Sequence, residues 1–247
     1  MEMPNSMNDT TVRINLWSGP RNISTALMYS FAQRSDTVVV DEPLYGHYLR
    51  VTDADRYHPG AREVLESMET DGEKVLDRMW GDYEKPVVFF KQMTHHLVEL
   101  DLSRIVGMKH LILTRDPAEM LPSFAKEVPN PTLRDVGYRQ HLELLDYLEE
   151  QGENPVVLDS KRVLLDPQKT LARLCDAVGI EFDASMLRWE PGPRPEDGTW
   201  AKHWYHNVHK SSGFMPYRPK TEPFPENLKP LLEKCRPIYE ELSQRSI

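Results

Sequence analysis

The chain has 247 residues, with 30 Lys plus Arg against 39 Asp plus Glu and a formal net charge of −9. That length suits one large α/β domain with a full core, read here as a single unit over 1–247. Hydrophobic residues make up 39% and charged residues 28%, which excludes wholesale disorder and predicts a well-solvated surface. The acidic excess argues against a dedicated nucleic-acid binder and leaves room only for a local basic pocket. Two cysteines, Cys175 and Cys235, make no disulfide framework and point to a reducing compartment. No run approaches the roughly 18 apolar residues of a bilayer span. The first eleven residues have neither the basic segment nor the apolar run of a signal peptide. The expectation is a cytoplasmic protein with no membrane partner and with residues 1–10 as a flexible tail. Oligomeric state is not legible.

Five short apolar runs follow one another: Val12 to Trp17, Thr37 to Val40, Val87 to Phe90, Leu111 to Thr114 and Val156 to Leu158. Runs of this length that are apolar throughout suit strands buried on both faces. Helical signals lie between them. Ser24 to Arg34 carries Leu27, Met28 and Phe31 at helical spacing. Thr132 with Asp135 resembles a capping box, and Leu142, Leu145 and Leu148 continue a stripe as far as Gly152. Asp166-Pro167 starts another helix that faces Leu171, Leu174 and Val178 inward and stops at Gly179. Alternating strand and helix predicts a parallel sheet of about five strands flanked by helices. Residues 189–225 break the pattern with seven prolines, three Trp and three His. They read as a long ordered loop or lid. A last helix is expected from Glu226 to Ser243, interrupted near Pro230 and Pro237.

The first strand runs into Ser18-Gly19-Pro20-Arg21-Asn22-Ile23-Ser24-Thr25 and then a helix. A strand, a turn and a helix start make an anion site, because the first helical amides lack intrahelical partners and the dipole favours negative charge. Arg21 adds a cationic fork; Ser24 and Thr25 add hydroxyls. Taken alone, the turn fits equally well a capped helix with Arg21 in solvent. It lacks the Gly-Lys-Ser/Thr ending of Mg-ATP sites.

Pro20-Arg21-Asn22-Ile23-Ser24-Thr25 resembles the phosphate turn of sulfotransferases that use 3′-phosphoadenosine 5′-phosphosulfate (PAPS), with Asn22 for the usual Ser and Ile23 for the usual Gly. Leu113-Thr114-Arg115-Asp116-Pro117, with Ser123 eight residues beyond Arg115, is similar to the same family's segment for the 3′-phosphate. Val163-Leu164-Leu165-Asp166-Pro167 and Val178-Gly179-Ile180 extend the resemblance to about residue 182. The resemblance implies a P-loop nucleoside-triphosphatase-like sulfotransferase fold, PAPS as co-substrate without a metal, and a small-molecule acceptor. It implies nucleotide contacts from Arg21, Asn22, Ile23, Ser24, Thr25, Arg115 and Ser123. Lys210 and Ser211 are loosely similar to the family's late basic segment.

Sulfuryl transfer needs in-line placement, a base for the acceptor's proton and donors for the leaving phosphate. Arg21 is the candidate for charge on the bridging oxygen. Glu42, in Asp41-Glu42-Pro43 after the second strand, is the preferred base, beside the phosphate turn if the first two strands are neighbours. His95, after the third strand, is the second candidate. Lys91 either reaches the sulfuryl oxygens or is an exposed strand end. His203, His206 and His209 cannot share one helical face, and no cysteine or carboxylate beside them completes a zinc set; no metal is expected. A small-molecule kinase, or a protein of this fold without catalysis, remains the competing reading.

Overall fold

The structure is a computed structural model that describes residues 11–247; the expected flexible tail at 1–10 lies outside the described residues. Five strands form one parallel sheet: β1 (Val12–Ser18), β2 (Thr37–Asp41), β3 (Val87–Met93), β4 (Lys109–Thr114) and β5 (Val156–Asp159), in the order β2-β3-β1-β4-β5. Each coincides with a predicted run. The helices in chain order are α1 (Ser24–Phe31), α2 (Tyr45–Val51), α3 (Ala61–Ser67), α4 (Gly72–Met79), α5 (Pro117–Phe124), α6 (Leu133–Val136), α7 (Tyr138–Glu150), α8 (Ser160–Leu165), α9 (Pro167–Val178), α10 (Ala201–Trp204) and α11 (Lys229–Gln244).

Both sheet faces are covered, which is why the strands are apolar at consecutive positions. Ile14, Leu16, Phe89, Leu111 and Leu113 pack with Leu27 and Phe31 of α1 and Leu171 and Leu174 of α9. Trp17, Val88 and Phe90 pack on the other side with Val75, Leu76 and Met79 of α4 and Leu144 and Leu148 of α7. The chain leaves β1 to one side for β2 and β3 and returns across it to β4. Such a reversal opens a crevice at the carboxyl ends of the strands.

Four expectations need correction. β3 separates β1 from β2, so Glu42 does not neighbour the phosphate turn through adjacent strands. The capping box at Thr132 and Asp135 is present but caps only one turn. Gly137 then takes a left-handed φ of 76°, a conformation glycine adopts without steric cost, and α7 starts afresh. α1 stops at Phe31, three residues early. α11 is not interrupted: Pro230 lies in its first turn, where a missing amide hydrogen costs nothing, and the helix continues through Pro237. Residues 42–86, without a helix assignment from sequence, hold α2, α3 and α4.

Candidate active site

The phosphate turn is held from two sides. Asp116 caps α5 by accepting from the Ala118 amide at 2.8 Å, which presents Ser123 on the second turn. Arg21 Nε donates to Ser123 Oγ at 3.1 Å, and Arg115 donates to the Arg21 carbonyl at 2.9 Å. Asn22 donates to the Leu113 carbonyl at 3.1 Å and accepts from the Ile23 amide at 2.9 Å. Arg21 itself has φ 53°, a strained conformation for a residue with a side chain, held by these contacts. No side chain caps α1 and no acidic residue sits in its first turn, so the helix start keeps its attraction for an anion. Arg21, Arg115 and the amides of α1 thus stand around one spot.

At the other end of the cleft stands a buried charge cluster. Register pairs Asp41 with Lys91 across β2 and β3. Glu42 then turns inward with φ 43°, its amide donating to the Lys91 carbonyl at 2.7 Å and its carbonyl accepting from the Tyr45 amide at 2.9 Å. Lys91 is 2% exposed and far from an exposed strand end. Its ammonium donates to Asp41 at 3.0 Å, to Glu42, and to the Tyr205 hydroxyl at 2.7 Å. Tyr205 donates to Asp41 and accepts from Trp200 Nε1 at 3.1 Å, and the Gly198 amide donates to Asp41 at 3.2 Å. Burial raises the Glu42 pKa above the ordinary glutamate value; Lys91 opposes the rise and Asp41 adds to it. Burial works against the charge on Lys91, but Asp41 and Glu42 outweigh it and lift its pKa. A carboxylate made more basic in this way accepts a proton more readily than an ordinary glutamate.

An aromatic wall adjoins the cluster. Tyr45 and Tyr48 of α2 stack on His96, with centroids 5.0 and 4.6 Å apart, and Tyr48 meets His95 edge-on at 5.1 Å. Burial, with a smaller push from His58, His141 and Arg134, drives the His95 pKa down to about 3, and His96 falls well below its usual value for the same first reason. Both rings are neutral at pH 7. Glu42, Lys91, His95, Arg21, Asn22, Ile23, Ser24, Thr25, Arg115, Ser123 and Ser211 line a single cleft of about 410 Å³, within the range of small-molecule sites.

The sequence matches the sulfotransferase domain family over residues 12–246. The chain belongs to that family. The sulfotransferase domain of the Synechococcus PCC 7002 olefin synthase superposes with a TM-score of 0.55 at 17% identity, covering 95% of this chain and 98% of that one. The sulfotransferase domain from the curacin biosynthetic pathway gives 0.55 at 15%, covering 94% and 98%. These two share the fold. Branched-chain-amino-acid aminotransferase-like proteins 1 and 2 of Arabidopsis thaliana are each 43% identical over 228 residues. The chain spans 40% of the length of these curated relatives, while the match covers 92% of this chain.

Within this sulfotransferase domain, Lys210 is exposed and does not line the cleft, and Ser211 Oγ is engaged with the Val208 carbonyl at 2.7 Å and with Trp189 Nε1 at 3.2 Å. Lys220, which sequence reasoning passed over, lines the cleft. Burial first, then Arg115 and Lys126, lowers its pKa, the mark of a lysine held among cations. Tyr205 was also missed; its only signal was an aromatic in a proline-rich loop. The loop histidines do not converge: His209 bonds Asp197 at 2.9 Å and His206 is exposed. Among the described residues no three His, Cys, Asp or Glu side chains form a metal-binding group, and no helix is long and apolar enough to cross a membrane.

Proposed function

We propose that this chain is an enzyme that moves a sulfuryl group from PAPS to a hydroxyl or amine of a small-molecule acceptor. The observation that carries the reading is the single cleft shared by a doubly braced anion turn and a buried, unusually basic carboxylate. PAPS supplies the sulfuryl group and a phosphate leaving group. Arg21 and the first amides of α1 would stabilise charge on the bridging oxygen, and Arg115, Ser123 and Lys220 would hold the 3′-phosphate. Glu42 would take the acceptor's proton as the new S–O bond forms and the bond to the bridging oxygen breaks. His95, neutral and with a conjugate acid of pKa about 3, is too weak a base for that step. Lys91 has its three donors committed to Asp41, Glu42 and Tyr205 and serves the carboxylates rather than the sulfuryl oxygens.

A kinase reading is disfavoured because the turn lacks the lysine that binds ATP phosphates, and Lys91 is not free to replace it. The Ile23 substitution does not argue for a dead site, since its side chain packs on the core beside α1 and the helix start is intact. The test is direct. Adenosine 3′,5′-bisphosphate should raise the melting temperature, as a ligand of the native state must, and the protein with PAPS should add a sulfate-sized mass to a component of a metabolite extract. A melting shift with Mg-ATP and none with the bisphosphate would refute the reading.

A further inference from the structure

The two adjacent carboxylates at the end of β2 are treated very differently by the fold. Asp41 is 7% exposed and accepts from Lys91, from Tyr205 through both oxygens at 2.9 and 2.7 Å, and from the Gly198 amide at 3.2 Å. Glu42, 8% exposed, has Lys91 as its one side-chain donor among the described residues. Asp41 is thus held in place by three donors, whereas Glu42 shares a single cation and lines the cleft. Tyr205 makes this difference. Its hydroxyl is the only group that touches both Asp41 and Lys91 from outside the sheet among the described residues, and it is fixed by Trp200. It arrives from the segment between α9 and α11, directly after α10 and 164 residues along the chain from Asp41. The titratable and charged groups facing Asp41 and Glu42 are Lys91 on β3, Tyr29 on α1, Tyr45 on α2, His96 after β3 and Tyr205 after α10.

We propose that Tyr205 is a positioning residue, whose hydroxyl bridges Lys91 and Asp41, fixes that pair in place and so leaves Glu42 as the carboxylate that exchanges the acceptor's proton. The inference rests on Glu42 as base and adds how the loop prepares it. Gly198 and Tyr205 complete the donor set of Asp41 from one segment, whose Trp200, Trp204 and Tyr205 line the cleft. Without the hydroxyl, Asp41 loses a donor, Lys91 loses an acceptor, and two carboxylates compete for one ammonium. A proton then stays on the pair to higher pH.

The test reads charge directly. Protein labelled with ¹³C at Asp and Glu carboxyls is titrated by NMR from pH 4 to 10, with Asp41→Asn and Glu42→Gln assigning the two signals. In the unaltered protein Glu42 should titrate above the ordinary glutamate range. In Tyr205→Phe the upper midpoint of the pair should rise by about one pH unit, the scale of one hydrogen bond to a charged group. Trp200→Phe, which removes the indole donor to that hydroxyl but keeps the hydroxyl itself, should move the midpoint less than Tyr205→Phe does. If Tyr205→Phe does not fold, Asp41→Asn serves alone: it removes the neighbouring negative charge and should lower the Glu42 midpoint. Unchanged curves in Tyr205→Phe, or a Glu42 midpoint unmoved by Asp41→Asn, would each overturn the inference. None of these readings needs nucleotide or acceptor, so failure to bind the bisphosphate would sink the sulfuryl-transfer reading and leave this result to stand or fall separately.

Discussion

Replacing Arg115 by alanine separates the brace that the structure shows from the phosphate contact proposed for the same side chain. Arg115 is 24% exposed at its side chain and lines the cleft, where the proposed 3′-phosphate lies. It also donates to the Arg21 carbonyl at 2.9 Å and so braces the strained turn. Loss of a charged hydrogen bond to phosphate should weaken adenosine 3′,5′-bisphosphate by about 1.5–3 kcal/mol, roughly 10- to 150-fold in Kd. Loss of the brace should cost any nucleotide using the α1 amides about 1 kcal/mol, or ~5-fold. Titration calorimetry with the bisphosphate and with adenosine 5′-monophosphate therefore should show a common ~5-fold loss and a further loss for the bisphosphate alone. Glu119, 3.6 Å from Arg115, is left without that cation in the variant. Adding Glu119→Gln should recover only the part due to its repulsion of the anion. Equal losses for the two nucleotides would show that Arg115 does not read the 3′-phosphate and would remove the main support for placing it there.

Glu42→Gln keeps the shape and removes the basicity; single-turnover rates at saturating PAPS should fall by about 10²–10⁴ while bisphosphate affinity barely changes, and His95→Ala should cost much less. The reverse order would hand the base role to His95. Gly19→Ala would place a Cβ 2.7 Å from the Val136 carbonyl, so the turn or α6 must shift; a loss of roughly 1–3 kcal/mol in denaturant unfolding and weaker bisphosphate binding are expected, and a neutral variant would mean that the approach is not tight. Acid should destabilise the fold through buried neutral histidines. Burial depresses His110 and His141 from 6.5 to about 4, so the unfolded chain binds more protons between those values and stability is lost as pH falls from 6.5 toward 4, by up to about 3 kcal/mol per histidine. In His110→Gln or His141→Gln the slope over that window should flatten; an unchanged slope in both would refute the assignment.

The strands, the turn between β1 and α1 and the capped helix start after Arg115 could be read directly because each is a local pattern. An apolar run of strand length, a helix start after it, or a cap followed by Ser123 is complete within about ten residues. Glu42 was legible for the same reason, as the carboxylate at a strand end. The helices between Glu42 and Val87 escaped because each is seven or eight residues long, too short to show a period. α7 was misjoined because one glycine, not the leucine stripe, sets its start.

The chemistry around Glu42 was decided only in three dimensions. The sheet order put β3 between β1 and β2, and that choice buried Lys91 beside Asp41; nothing in Phe-Lys-Gln states which strands flank a lysine. The left-handed backbones of Arg21 and Glu42 are maintained by distant partners, so no local propensity announces them. Tyr205 joins the site from far along the chain, in a loop whose sequence has no period. Sequence thus determined which groups the molecule carries at the carboxyl edge of each strand, since strand ends are local. Pairing, burial and charge state depended on the global packing of those edges, because a buried charge is stable only beside partners that the whole fold brings to it.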